Sequence, residues 1–527
     1  MLQWAQLNDA GQIRAQAGAS VIKREWVSLI VLLLAACGCL PSMQPATSVY
    51  TLVPSTSPIA QPDGSIEVLS SAVSRSTQPA SGVPIPTPSG PPTDVYIVQP
   101  GDTLSDIAYT RCGCEVEELM TLNRISEATL LQAGQRLRIP VKTKYVGPPL
   151  RLLPDSEVVY SPAYRDFDIA NFVNKQGGYL AHYTERAEGR MRTGAEIVQL
   201  IAQTFSVGPR LLLALLEYQS GWVTGEPNSQ VALDFPLSLG NGGQAGLHFQ
   251  LSWAANRVNE GYYTYKREGT FAFRLLDRKR VLAAEGLNAG TVGIQNVLAL
   301  TRDWDAWHKA VDRTGFLRTY EMLFGDPHTR AVEPLIPANL EQPVLYLPWP
   351  EGRMWYLSGG PHGAWFSGSA WAAVDFAPPD VMGHCAVSQE WATAAASGLV
   401  LRSEDGQVLI DLDEDGYEQT GWILFYLHVA SKDRVQVGAR LARGDRIGHP
   451  SCEGGVAESS HLHIARRYNG EWIAADGPIP LVLSGWRAIN GLAEYEGKMV
   501  KDEQVRQACE CWEATVNGIV SDNLSSS

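Results

Sequence analysis

At 527 residues the chain is too long for one ordinary domain, and its length suggests about three or four. A formal net charge of −14 excludes a protein that tracks nucleic-acid phosphates, while 45% apolar residues is ordinary for a globular chain. The 15 tryptophans fit glycan recognition and large cores equally.

In chain order, the first feature is "KREWVSLIVLLLAACGCLPS", two basic residues followed by an apolar run from Trp26 to Ala36. Eleven residues are too few to span a bilayer as a helix but suit the core of a signal peptide. "LAAC" at 34–37 resembles a bacterial lipobox, which implies cleavage before Cys37 and lipidation of its thiol. An ordinary signal peptide cleaved nearby is the alternative. Residues 1–37 are therefore read as an export signal, and the mature protein is expected on the outer face of the membrane or in the envelope. Residues 38–93 are rich in Ser, Thr and Pro, a composition that cannot bury a core and serves as a tether.

The stretch 94–141 reads as strand, helix, helix, strand. "VYIVQ" alternates, "PGD" turns into a helix capped by Asp102 or Thr103, "EVEELMTLNR" has helical spacing, and "QRLRIP" returns as a strand. With "YIVQPGDTLSDIA", "LMTLN" and "GQRLRIP" in that order, it closely resembles a LysM module. The resemblance implies binding of N-acetylglucosamine-containing glycans such as peptidoglycan. A LysM fold kept only as a spacer is the alternative.

After a linker at 142–160, the region 161–337 is predicted to be mostly α-helical. "VGPRLLLALLEYQSGWV" resembles the helix of lysozyme-like lytic transglycosylases, whose catalytic glutamate immediately precedes a serine. Here Gln219 precedes Ser220, and Glu217 lies about 200° around the helix from it. A glutamine cannot be the general acid that glycoside cleavage needs, so glycan hydrolysis is not expected, and Glu217 and His248 read as structural or surface residues.

From 338 to 487 the chain is predicted to be all-β and antiparallel: "SGLVLRS", "QVLIDLD" and "GWILFYLHVA" are strand-like runs broken by "EDG" and "EDGYEQTG". "DLDEDG" at 411–416 has the opening of a calcium loop but lacks its later glutamate, Trp422 standing there, and reads as an acidic turn. Six of the ten histidines, at 362, 384, 428, 449, 461 and 463, fall in this domain. Two histidines and an aspartate make most of a catalytic zinc site, which uses three protein ligands and leaves one position open. Asp375 and the H-x-H of His461 and His463 are candidates. A short-spaced H-x-x-x-D pair would need histidine at 371, where Trp371 stands.

"AAVDFAPP", "AAASGLV", "FYLHVA", "VQVGARLARGDRIG" and "SSHLHIA" follow, in order, motifs of the lysostaphin-type zinc endopeptidases that cut peptidoglycan peptides, and the segment 355–485 is similar to that family. In its β-lytic and LasA-like branch the first histidine stands in an upstream loop, with twelve residues between it and the aspartate. His362 has that spacing from Asp375. The resemblance implies that His362, Asp375 and His463 hold Zn2+, with His428 and His461 as unligated catalytic imidazoles. His384 and His449 read as structural, with either as the alternative third ligand. In an oxidising compartment cysteines pair, and Cys385 with Cys452, flanking the two halves of the site, is the favoured disulfide. The connectivity of Cys112, Cys114, Cys509 and Cys511 is left open, and residues 488–527 form an unassigned extension.

The sequence thus leads to an exported, lipid-anchored zinc metalloendopeptidase acting on peptidoglycan cross-links, with no nucleic-acid partner. The competing reading is a wall-binding scaffold or activator whose peptidase fold is inactive.

Overall fold

The computed structural model describes residues 90–99, 101–127, 131–239, 244–381 and 383–522. The expected signal peptide, the lipidated Cys37 and nearly all of the tether lie outside these residues.

Strands Thr93–Ile97 and Arg136–Pro140 pair antiparallel around helices Leu104–Ile107 and Val116–Leu122. Thr103 is the N-cap, its hydroxyl accepting the Asp106 N–H at 3.1 Å, whereas Asp102 accepts from the Tyr96 hydroxyl and the Gln99 N–H, both at 2.7 Å. Leu104, Ile107, Leu119 and Leu137 close a small core of their own.

The next region is built on helices Gly194–Phe205, Pro209–Ser220, Leu247–Glu268 and Ala289–Ala299. Thr193 and Glu196 form a reciprocal capping box at the first, and Pro209 opens the second, where its missing N–H costs nothing. Helices Leu247–Glu268 and Ala289–Ala299 approach at Gly261 and Gly293: a Cβ on Gly261 would lie 2.9 Å from the Gly293 Cα. The segment read as a linker is part of this core, since Leu152, Leu153, Val158, Val159 and Tyr160 are buried in it. Its chemistry is anchored at Glu157, fully buried, which pairs with Arg210 at 2.9 Å and receives the Tyr320 hydroxyl.

The C-terminal domain is a nine-stranded antiparallel sheet. Its central members, Gln407–Asp411, Trp422–Leu427, Leu462–Tyr468, Trp371–Ala377 and Met354–Gly363, stand side by side in that order. These strands are largely buried on both sheet faces, and most of their residues are apolar. Leu424, Tyr426, Leu462, Ile464, Val374 and Phe376 point into the domain's own core. Their alternates Ile423, Phe425, Leu427, Ala465 and Ala373 pack in one core with the helical region. At this seam the Tyr262 hydroxyl donates to Glu471 at 3.0 Å, Lys266 pairs with Glu471, and the Tyr263 hydroxyl accepts the Trp472 N–H at 3.1 Å.

The boundary expected at 487 falls inside a strand, Trp486–Asn490, because the tail completes the domain instead of following it. Trp486–Asn490, Gly497–Lys501 and Gln504–Gln507 build a second sheet with Val482–Leu483, and Gly518–Val520 pairs with Met354–Tyr356 at the edge of the first.

Candidate metal centre

Asp375 and His463 are register partners on neighbouring strands. Residues two apart in a strand share a face, so His463 points to the same side as Ala465, and His461 just before the strand follows it. His362 comes from the adjacent strand, whose register shifts three times between Leu357 and Gly363. Such irregularities re-aim side chains, and here they turn the imidazole onto Asp375.

The structure brings His362, Asp375 and His463 together, all buried. His362 Nε2 lies 3.1 Å from His463 Nδ1 and 3.4 Å from Asp375 Oδ2, and His463 Nδ1 lies 3.1 Å from Asp375 Oδ1. Ligands about 2.0–2.1 Å from a tetrahedral zinc sit roughly 3.4 Å from each other, so these edges fit that ion with little movement. The donor set also fits: buried Asp375 Oδ1 has no aligned hydrogen-bond donor.

Backbone carbonyls fix the tautomers. The Gly360 carbonyl accepts from His362 Nδ1 at 2.8 Å, leaving Nε2 as the lone-pair atom. The Ala364 carbonyl accepts from His463 Nε2 at 3.1 Å, leaving Nδ1. Burial pushes the His362 imidazole down to about 4, so it is neutral at pH 7. Burial alone would raise the Asp375 carboxyl, but His362, His461 and His463 outweigh it and hold the group ionised well below the usual range. A neutral imidazole and a carboxylate are the forms that bind a metal.

His461 and His428 stand beside this triad. His461 Nε2 lies 3.7 Å from Asp375 Oδ2, and the His461 and His428 rings are 4.4 Å apart. Their Nδ1 atoms donate to the Ser459 carbonyl at 2.8 Å and the Glu453 carbonyl at 3.1 Å, which frees both Nε2 lone pairs. Burial, and then His461 and His463, keep His428 neutral. Its backbone is left-handed at φ 64°, a strained state for a non-glycine that clusters at functional sites. The His428 carbonyl is held by the Ser451 N–H at 2.7 Å, beside the Cys385–Cys452 disulfide, which is formed with S–S 2.03 Å. Cys112 pairs with Cys114 and Cys509 with Cys511.

The other candidates lie apart. His449 donates from Nδ1 to the Glu390 carbonyl at 2.8 Å and packs on Trp391, and His384 is not one of the three convergent ligands. The Asp411 carboxylate accepts from its own turn's amides, those of Asp413, Glu414 and Gly416. In the helical region Glu217 caps a loop, accepting from the Val223 N–H at 2.9 Å and the Thr224 N–H at 3.1 Å, and Gln219 Oε1 binds Arg302 at 2.6 Å.

Two contributors carried no local signal in the sequence. Tyr495, from the unassigned tail, stacks on His362 at 4.1 Å with planes 19° apart, and burial pushes its hydroxyl above its ordinary value. Glu494 beside it accepts the Gly363 N–H at 3.0 Å.

Residues 96–140 match the model of the LysM domain, and residues 151–339 match that of the LasA N-terminal domain. The second match spans the predicted helical region 161–337, whose helix Pro209–Ser220 resembles that of lysozyme-like enzymes. No curated protein matches the chain. Among solved structures, the chain is similar to the M23 metalloprotease pseudoalterin from the deep sea (21% identity, TM-score 0.27, covering 32% of this chain and 96% of that one). It is also similar to a zinc-containing peptidase from Vibrio cholerae (19%, 0.19, 26% and 41%). A third is the catalytic domain of the antimicrobial peptidase lysostaphin from Staphylococcus simulans (21%, 0.17, 23% and 88%).

Proposed function

We propose that this chain is an exported, membrane-anchored zinc metalloendopeptidase that hydrolyses peptide cross-links of peptidoglycan, with its LysM region binding the glycan. The observation that carries the reading is the convergence of His362 Nε2, Asp375 and His463 Nδ1 at tetrahedral spacing, with the imidazoles of His428 and His461 beside them. Zinc, when bound by His362, Asp375 and His463, supplies a Lewis acid and lowers the pKa of water towards 7.

The chain's own residues do the rest. His428 and His461 are oriented by carbonyls at Nδ1, so each offers Nε2 to the cleft. One takes a proton as water attacks the scissile carbonyl and returns it to the leaving amine. The other can donate to the oxygen that gains negative charge only in its protonated form, with a hydrogen on Nε2 as well as on Nδ1. The stretch similar to LysM would hold these groups at the wall, and the lipidated Cys37 would hold the whole at the membrane.

The test is a wall-digestion assay on the exported chain with mass analysis of the products. New amino termini on released peptides are expected. Release of glycan fragments with intact peptides would contradict the reading.

A further inference from the structure

The helical region covers the sheet face that bears Asp375 and His463, and it grips the loop between the two strands that carry His362 and Asp375. Phe205, at the end of helix Gly194–Phe205, stacks on Phe366 with centroids 5.6 Å apart and planes 8° apart, and meets Trp365 edge-on at 6.4 Å. Asn256 Oδ1, on helix Leu247–Glu268, accepts the Gly368 N–H at 2.9 Å. A Cβ on Gly368 would lie 2.1 Å from the Asn256 carbonyl oxygen, so only glycine admits that helix so close.

The loop is drawn tight at its base. The Ser369 hydroxyl accepts the Trp365 N–H at 2.8 Å, and the Ala364 N–H donates to the Ala370 carbonyl at 3.0 Å. Ala364 is the residue whose carbonyl accepts His463 Nε2–H. The helical region therefore holds Phe366 and Gly368 in a loop whose base is closed by the Ala364–Ala370 bond, and the Ala364 carbonyl at that base sets the plane and tautomer of His463.

We propose that Phe205 and Asn256 are positioning residues for the metal-binding imidazole of His463, which makes the helical region a working part of the metal centre. The inference rests on the zinc reading above. Removing an outer partner of a metal-bound histidine lowers affinity about 10–100-fold, and a residue that acts on that partner through the loop is expected to lower it less, about fivefold.

The test is zinc affinity of the full exported chain, measured by competition with a chromophoric chelator at fixed pH. Asn256→Ala and Gly368→Ala are expected to weaken binding about fivefold, while Asn256→Asp, which keeps the acceptor, stays within about twofold of wild type. Tyr263→Phe loses a hydrogen bond at the same seam away from the loop. It is expected to lower the melting temperature without moving zinc affinity. The inference is overturned if Asn256→Ala and Gly368→Ala bind zinc as wild type does, or if Tyr263→Phe weakens binding as much as they do. Asp375→Ala in the same series separates the two claims: a wild type that binds no better than Asp375→Ala sinks the zinc reading and this inference with it.

Discussion

Asp375 and His463 face each other as register partners on adjacent antiparallel strands, with Oδ1 and Nδ1 3.1 Å apart. Strand pairing therefore delivers two of three candidate ligands to one point, and the irregular strand Met354–Gly363 has only to bring the third. Asp375→Asn keeps the shape and removes the charge. It is expected to weaken zinc binding by more than the roughly 100-fold upper range of an outer-shell change, as read by chelator competition.

The Cys385–Cys452 bridge spans 67 residues and ends beside Ser451, which holds the His428 carbonyl. Closing a loop of that length removes unfolded-state entropy worth up to about 4 kcal/mol. The double variant Cys385→Ser/Cys452→Ser is expected to melt markedly lower and to lose wall lysis while folded. Unchanged melting would show that the bridge constrains nothing.

In the helical region, Glu217 accepts the N–H groups of Val223 and Thr224 in the loop that follows helix Pro209–Ser220. Glu217→Ala is expected to cost about 1–2 kcal/mol in chemical denaturation and to leave wall lysis unchanged. Lost lysis at unchanged stability would reopen a catalytic role for this helix.

Glu333 supplies a pH-dependent contribution at the seam. Burial, then the charge of Asp155, raise its carboxyl to about 7, and Glu471 adds to the rise. With the folded pKa above the unfolded one, the folded state holds the extra proton between about 4.5 and 7, so this contribution is full below that window and is lost as pH rises through it. The wild type is expected to lose melting temperature relative to Glu333→Gln between pH 5 and 8. Parallel curves would contradict the assignment.

Much of this architecture is legible in the sequence because it rests on local patterns. The alternation in "VYIVQ", the helical spacing of "EVEELMTLNR" and the apolar runs "WAAVDFA" and "WILFYL" reappear as elements. His362, Asp375, His428, His461 and His463, separated by up to 101 residues along the chain, meet within one site. What stayed hidden depends on long-range packing. Nothing near Tyr495 announces that its ring will stack on His362. The buried Leu152–Tyr160 segment resembles a linker because its partners are other helices. A Gly-Ser pair at 368–369 reads as an ordinary loop until the Asn256 helix lies against it. Glu217 and Gln219, on the helix that resembles a lysozyme-like one, hold loop amides and Arg302, partners that lie outside the helix's own sequence pattern.

The central claim is tested most directly by zinc content and wall lysis of the exported chain beside its His362→Ala and His449→Ala variants. The account predicts about one zinc per chain in the wild type and His449→Ala, both lytic, with zinc and lysis lost together in His362→Ala. A wild type that carries no zinc and clears no wall would contradict it, and would leave a wall-binding scaffold built on the same folds.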